Sequence, residues 1–308
     1  MTASDRPRPP LTASDRQTLR GDSLLVRYAN LVKLPHTVFA LPFALLGVLA
    51  AARVSRVSAG DIVWVVVAFT SARFVAMGVN RIADREVDAL NPRTRGRELP
   101  TGRLTLAQAW GAVLIAAATF LGATWALNWL AFMLAPLALA WITLYSYTKR
   151  WTHWSHLWLG FALAIAPVGG YVAIAGRWSD PAYELLVIAA GVTAWVAGFD
   201  IFYALQDAAF DRQHGLRSAV VRFGEARSIT LAKLFHGAAI VAFAWYGTLA
   251  GFGTAYYAGV AVAALLIAWE HRLVRPGDLS KLDQAFFTAN GLVSIVVFAG
   301  ALADWTLG

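Results

Sequence analysis

Asn80, Asp84 and Asp88 follow one another at intervals of four residues, and Asp207 and Asp211 repeat that interval far along the chain. Residues four apart on a helix share a face, so each set would aim its carboxylates at one spot. Carboxylates that close repel unless a cation lies between them, and beside a bilayer such charge is costly. A small all-oxygen donor set suits Mg2+, which binds through one or two carboxylates, keeps waters and takes substrate phosphate as a further ligand. Asp84, Asp88, Asp207 and Asp211 are therefore the candidate metal ligands. Either pair alone would also suit an ordinary solvated helix end beside an arginine.

Cations stand close to these acids in the sequence. Arg93 and Arg97 lie in Asn91-Pro-Arg-Thr-Arg-Gly-Arg-Glu, and Lys149 lies in Tyr145-Ser-Tyr-Thr-Lys149-Arg150. Metal and cations together suit a diphosphate, and the lipid that carries one is a prenyl diphosphate. Loss of diphosphate from an allylic carbon leaves a cation that must be kept from water, and the faces of Tyr145, Tyr147, Phe202 and Tyr203 could stabilise it. Asp200 precedes Asp207 by two helical turns and falls on the same face, where a bare charge inside an apolar stretch calls for a partner or a task. The six histidines show no ligand spacing. His153 and His156 read as polar boundary residues, while His214 is near enough to the second acidic pair to touch substrate.

Between these motifs the chain is built for lipid. Apolar residues make up 58 %, charged residues 14 %, and the mean hydropathy is +0.57. Nine apolar stretches are each about long enough to cross a hydrocarbon core, at about 34–52, 60–80, 105–126, 129–148, 156–176, 182–206, 228–250, 254–273 and 285–305. Leu24 to Lys33 alternates apolar and basic positions as an interfacial helix does, and Pro35 marks its junction with the first span. Residues 1–21 read as a disordered cytoplasmic tail without an apolar leader, and 22–308 as one domain. Pro136 and Pro167, with Gly160, Gly169 and Gly170, either kink spans or let them pack closely. Trp110, Trp129, Trp151, Trp154, Trp178 and Trp305 fall near span ends, as interface anchors do. No cysteine is present, which excludes disulfides, thiolate metal sites and cysteine nucleophiles.

The 26 Lys+Arg against 18 Asp+Glu give a net charge of +8, which reads as membrane orientation and attraction to anionic lipid rather than as nucleic-acid binding. Arg81, Arg85, Arg93, Arg95, Arg97 and Arg103 follow the second span, Lys149 and Arg150 the fourth, Arg212, Arg217, Arg222 and Arg227 the sixth, and Arg272, Arg275 and Lys281 the eighth. The opposite connections hold Arg53, Arg56 and Arg177. An excess of Lys and Arg marks the cytoplasmic side, so the N-terminus lies inside, the C-terminus outside, and both acidic sets face the cytoplasm. Each set closes an even-numbered span and opens a polar, arginine-containing loop, a weak internal echo that would set two half-sites around one pocket.

Asn80-x-x-x-Asp84-x-x-x-Asp88, the Asn-Pro-Arg-Thr segment, Tyr145-x-x-x-Lys149 and Asp207-x-x-x-Asp211, in this order, resemble the UbiA superfamily of intramembrane aromatic prenyltransferases. The likeness runs from about residue 33 to 222. It implies an all-α bundle of nine transmembrane helices with cytoplasmic cap loops, in the inner (plasma) membrane. It also implies Mg2+ on the two Asp motifs and transfer of a polyprenyl chain to an aromatic ring carbon with release of diphosphate. Carried over by position, Asp84, Asp88, Asp207 and Asp211 hold metal with help from Asn80. Arg93, Arg97 and Lys149 grip diphosphate, and Tyr145 sits by the reacting allyl group.

Asn30-Leu-Val-Lys33-Leu-Pro-His36 and Phe199-Asp-Ile-Phe-Tyr-Ala-Leu-Gln-Asp207 resemble a subgroup linked to menaquinone made through futalosine, with a hydroxynaphthoate as acceptor. The alternative acceptor is 4-hydroxybenzoate, on the way to ubiquinone. Both carry a phenolic ring and a carboxylate, for which Lys33 or Arg150 is the candidate anchor. A transporter using intramembrane carboxylates is the competing class, although acids gathered at one face rather than at the midplane speak against it. The Asp-Gly-x-x-Ala-Arg motif of CDP-alcohol phosphotransferases is absent.

Overall fold

The computed structural model of the chain describes residues 19, 21–33, 40–274, 277, 279 and 290–307. The tail expected over 1–21, the junction at Pro35, His36, Arg275, Lys281 and the start of the ninth stretch lie wholly or largely outside them. Among the described residues there is no strand. The helices are α1 (Leu24–Leu31), α2 (Leu41–Ala51), α3 (Ala59–Leu90), α4 (Leu106–Leu127), α5 (Trp129–Leu144), α6 (Ser155–Ala175), α7 (Tyr183–Leu205), α8 (Ala208–Gln213), α9 (Ala219–Phe223), α10 (Glu225–Leu249), α11 (Thr254–Leu273) and α12 (Asn290–Leu307), with a 3-10 segment at Tyr145–Arg150 after α5. Seven are long and apolar enough to cross a membrane: α3, α4, α5 with the segment after it, α6, α7, α10 and α12. The stretches around α2 and α11 fall short of that measure, α2 with 11 described residues.

Local chemistry sets the helix ends. Ser58 and Asp61 form a capping box at the start of α3, and Thr105 with Gln108 forms another at α4. Asn128 ends α4 and caps α5 through Ala131 N, while its amide donates to the carbonyls of Val172 and Ala173 at 2.9 and 2.8 Å. One residue thus ends one helix, starts the next and ties both to a third. Where α2 crosses α6, a Cβ at Gly47 would meet the Pro167 carbonyl and one at Gly170 the Ala44 carbonyl, so these glycines allow backbone against backbone. Pro167 and Gly170 belong to close packing here, whereas Gly169 has open space beside it and lines a cavity. The main core lies among α2, α6, α7, α10, α11 and α12, around Phe43, Trp195 and Phe243. A second cluster joins α1, α3 and α4.

Two boundaries differ from the sequence reading and both matter to the acidic sets. α3 has 32 residues, about 48 Å of helix against a hydrocarbon core of roughly 30 Å. Asn80, Arg81, Asp84, Arg85 and Asp88 therefore ride on a continuous helix, and Arg81 and Arg85 are not loop cations. Arg81 is buried, with Nε donating to the Leu31 carbonyl at 3.3 Å. In the second set, α7 stops at Leu205, and Asp207 sits at the start of the short α8. The Asp211 N–H still donates to the Asp207 carbonyl at 2.7 Å, so the helical turn between the two acids survives the break.

Candidate active site

Lys33, Asn80, Asp84, Asp88, Arg93, Arg97, Tyr145, Lys149, Asp200, Asp207 and Asp211 all line one cavity of about 700 Å³, whereas Tyr147 and Phe202, named above as faces for an allyl cation, do not. The remaining wall is largely apolar, from α2 to α7. Leu137 on α5 and Phe161 on α6 line the cavity while standing 68 % and 54 % exposed, so it reaches the perimeter of the bundle between those helices.

The four carboxylates of the two Asp sets do not meet one another; each meets an arginine or a lysine. Arg150 Nη2 lies 3.3 Å from Asp84 Oδ1 and also donates to the Ala83 carbonyl at 2.7 Å. Asn80 Nδ2 donates to Asp84 Oδ2 at 3.0 Å. Arg97 Nη1 reaches both oxygens of Asp88, at 2.7 and 2.6 Å. Arg93 grips Asp207 in a two-pronged contact, Nε to Oδ1 at 3.0 Å and Nη2 to Oδ2, and its Nη1 donates to Tyr203 Oη at 2.7 Å. Lys149 Nζ stands 3.6 Å from Asp211 Oδ2. These pairs stitch the loop after α3 and the 3-10 segment onto α3, α7 and α8.

The Asn-Pro-Arg sequence explains the placement of Arg93. Asn91 Oδ1 accepts the Arg93 N–H at 3.0 Å, turning the chain at the end of α3, while its Nδ2 donates to Asp207 Oδ1 at 3.2 Å. Thr94 Oγ1 closes the turn onto the Asp88 carbonyl at 3.1 Å. Burial works to raise the Asp207 carboxyl, but the bonds and charge of Arg93, with Lys149 and Asn91, outweigh it and hold it below the usual carboxylate range. At Asp211 burial prevails over the more distant Lys149, and the nearby Asp207 adds to it, so that carboxyl is raised.

Oxygen donors alone, in pairs, fit a hard cation that completes its shell with water or phosphate. Among the described residues no group of three or more acidic, histidine or cysteine side chains is gathered as a ready-made metal cage. Asp211 Oδ2 is buried without a hydrogen-bond partner, the Lys149 ammonium standing off at 3.6 Å, so it has room to ligate a cation.

Several cavity residues escaped the sequence reading. Arg73 and Arg81 line it from α3, and Asn91 from the turn. Arg73 had a usable signal, since it is a lone charge in an apolar stretch, two helical turns from Asn80 and on the same face. His156 is not a boundary residue: it is buried on α6 with Nδ1 2.6 Å from Asp200 Oδ2. His214 instead stacks on Phe210 and does not line the cavity. The tryptophans placed at span ends are all exposed at the bundle's perimeter.

A helical bundle with an apolar chamber and a cap of paired acids and cations has the makings of a membrane protein whose site would suit an anionic head group on an apolar tail. The chain belongs to the UbiA prenyltransferase family, whose model matches residues 40–292. A 4-hydroxybenzoate octaprenyltransferase from Xanthomonas campestris pv. campestris is 31 % identical over 253 residues, which cover 79 % of this chain and 81 % of that one. One from Pseudomonas aeruginosa is 30 % identical over 229 residues, covering 74 % and 76 %. Among solved structures, the apo form of a UbiA homologue from Aeropyrum pernix K1 superposes with a TM-score of 0.81 at 32 % identity, covering 88 % of this chain and 98 % of that one. A UbiA homologue from Archaeoglobus fulgidus, bound to DMAPP and Mg2+, shares the fold with a TM-score of 0.69 at 19 % identity, over 92 % and 100 %.

Proposed function

We propose that this enzyme transfers a polyprenyl group from a polyprenyl diphosphate to a ring carbon of a hydroxylated aromatic carboxylate, with Mg2+, in quinone biosynthesis. The observation that carries the reading is the convergence of Asp84, Asp88, Asp207 and Asp211, with Arg93, Arg97 and Lys149, on one chamber whose remaining wall is largely apolar. Mg2+ held by the four aspartates supplies charge neutralisation for the diphosphate, and the Archaeoglobus homologue solved with DMAPP and Mg2+ supports that pairing.

Three of the ion pairs join a proposed metal ligand to a proposed phosphate ligand: Asp88 to Arg97, Asp207 to Arg93 and Asp211 to Lys149. Loading the site then exchanges partners among groups already in place. Asn80 steadies Asp84, and Tyr145 stands at the wall where the allyl group reacts. Lys33 and Arg150 both line the chamber and are the candidates for the acceptor carboxylate. The opening between α5 and α6 serves as the route for the prenyl tail.

The proposal includes a single nine-span domain over 22–308 behind a cytoplasmic tail over 1–21, N-terminus inside and C-terminus outside, in a bacterial inner membrane with the site on the cytoplasmic face. The loop cations support that orientation. For the acceptor, the names of the curated relatives favour 4-hydroxybenzoate over a hydroxynaphthoate. The test offers 4-hydroxybenzoate and 1,4-dihydroxy-6-naphthoate together to enzyme in proteoliposomes, with a polyprenyl diphosphate and Mg2+, and follows products by mass spectrometry. Prenylated 4-hydroxybenzoate is expected. A product from the naphthoate alone moves the enzyme to menaquinone synthesis, and none from either contradicts the proposed reaction.

A further inference from the structure

His156 and Asp200 form a buried polar pair to which the reading above gives no task. The imidazole is 1 % exposed, and its Nδ1 lies 2.6 Å from Asp200 Oδ2. Its Nε2 accepts the backbone N–H of Ala219, the first residue of the cap helix α9, at 3.3 Å. A peptide N–H only donates, so Nε2 carries a lone pair, and the ring proton sits on Nδ1, directed at the carboxylate. His153 holds the same stretch of cap, its Nδ1 3.3 Å from the Ser218 carbonyl. The cap thus sets the tautomer of His156, and His156 sets the orientation of Asp200.

Asp200 also differs from the other acids of the chamber in its partner. Asp84, Asp88, Asp207 and Asp211 each face an arginine or a lysine. Asp200 faces a neutral ring that orients it without cancelling its charge. One of its oxygens is taken by the imidazole, the other has no hydrogen bond among the described residues, and the residue lines the chamber.

We propose that His156 is a positioning residue for Asp200, and that Asp200 takes the one proton that prenyl transfer releases. This rests on the proposed reaction. There the allylic C–O bond breaks with its electron pair leaving on diphosphate, and the allylic carbon bonds to the ring. The ring C–H bond then breaks, its pair restoring aromaticity, and its proton passes to the outward oxygen of Asp200 and on to solvent. A carboxylate pinned through one oxygen keeps the other at a fixed place over the ring, which is what proton transfer demands.

The experiment compares wild type, His156→Phe, His156→Asn and Asp200→Asn in proteoliposomes, using ring-deuterated and ordinary acceptor, whichever of the two above is turned over. His156→Phe removes the Nδ1–H; it is expected to lower kcat by about tenfold or more, leave the KM for the diphosphate nearly unchanged, and bring out an isotope effect absent from wild type. His156→Asn offers a side-chain N–H near the Nδ1 position and is expected to recover most of the rate. Asp200→Asn is expected to show the same isotope effect, which keeps the test open should His156→Phe fail to fold. Wild-type rates in a folded His156→Phe, or equal losses in the Phe and Asn variants with no isotope effect in any, overturn the proposal. Transfer to neither acceptor by wild type overturns the underlying reaction and this step with it.

Discussion

Arg93 and Asp207 form a contact that holds the cap together and, in the proposed reaction, also serves the chemistry. The guanidinium forks onto the carboxylate and also lies over the Tyr203 ring, 4.9 Å from its centroid. A lysine cannot reproduce that geometry, so Arg93→Lys is expected to raise the KM for the diphosphate and to lower the melting temperature by a few degrees. The two acids of the second set give opposite signs with pH. Asp207, held low, contributes stability above about pH 3.9, the unfolded value, and loses it as pH falls through its lower folded value. Asp211, held high, contributes stability below about pH 3.9 and loses it as pH rises through its raised value. With chelator present at neutral pH, Asp207→Asn is expected to lower the melting temperature and Asp211→Asn to raise it. Melts of both variants across pH check the signs, and shifts in the same direction contradict the account.

At the scale of elements, the long α3 carries the first acidic set, and the turn at Asn128 ties α4, α5 and α6 together. Asn128→Ala removes a cap and two inter-helix bonds at the turn between α4 and α5. A cost of about 1–2 kcal/mol is expected for the cap, read as a lower melting temperature with little change in kcat for the folded fraction. The two acidic runs were legible in the sequence because a four-residue interval fixes a helix face whatever surrounds it. The end of α3 was not, because Arg81 and Arg85 look like loop charges until the Leu31 carbonyl and the chamber account for Arg81 and the continuing helix carries Arg85. The pairing of Arg93 with Asp207 spans 114 residues, and that of His156 with Asp200 spans 44. No periodicity carries such distant partners, and a lone histidine announces nothing until the fold supplies its neighbour.

For the molecule as a whole, the bundle gathers charge at one end of an apolar chamber that opens sideways between α5 and α6. The absence of cysteine makes its orientation directly measurable. Arg95→Cys in the exposed loop after α3 is expected to react with a membrane-impermeant maleimide only from the cytoplasmic side, and Arg177→Cys in the exposed loop after α6 only from the opposite side. Labelling of both from one side contradicts the proposed topology. In the proposed reaction the two acidic sets hold metal for a diphosphate. That role is tested most directly by measuring prenyl transfer in proteoliposomes for wild type and for folded Asp84→Ala and Asp207→Ala, each with Mg2+ and with chelator. Wild-type transfer is expected to stop with chelator and return with Mg2+, and each variant is expected to lose about a hundredfold or more. Transfer that continues in chelator, or that survives in both folded variants, contradicts that role.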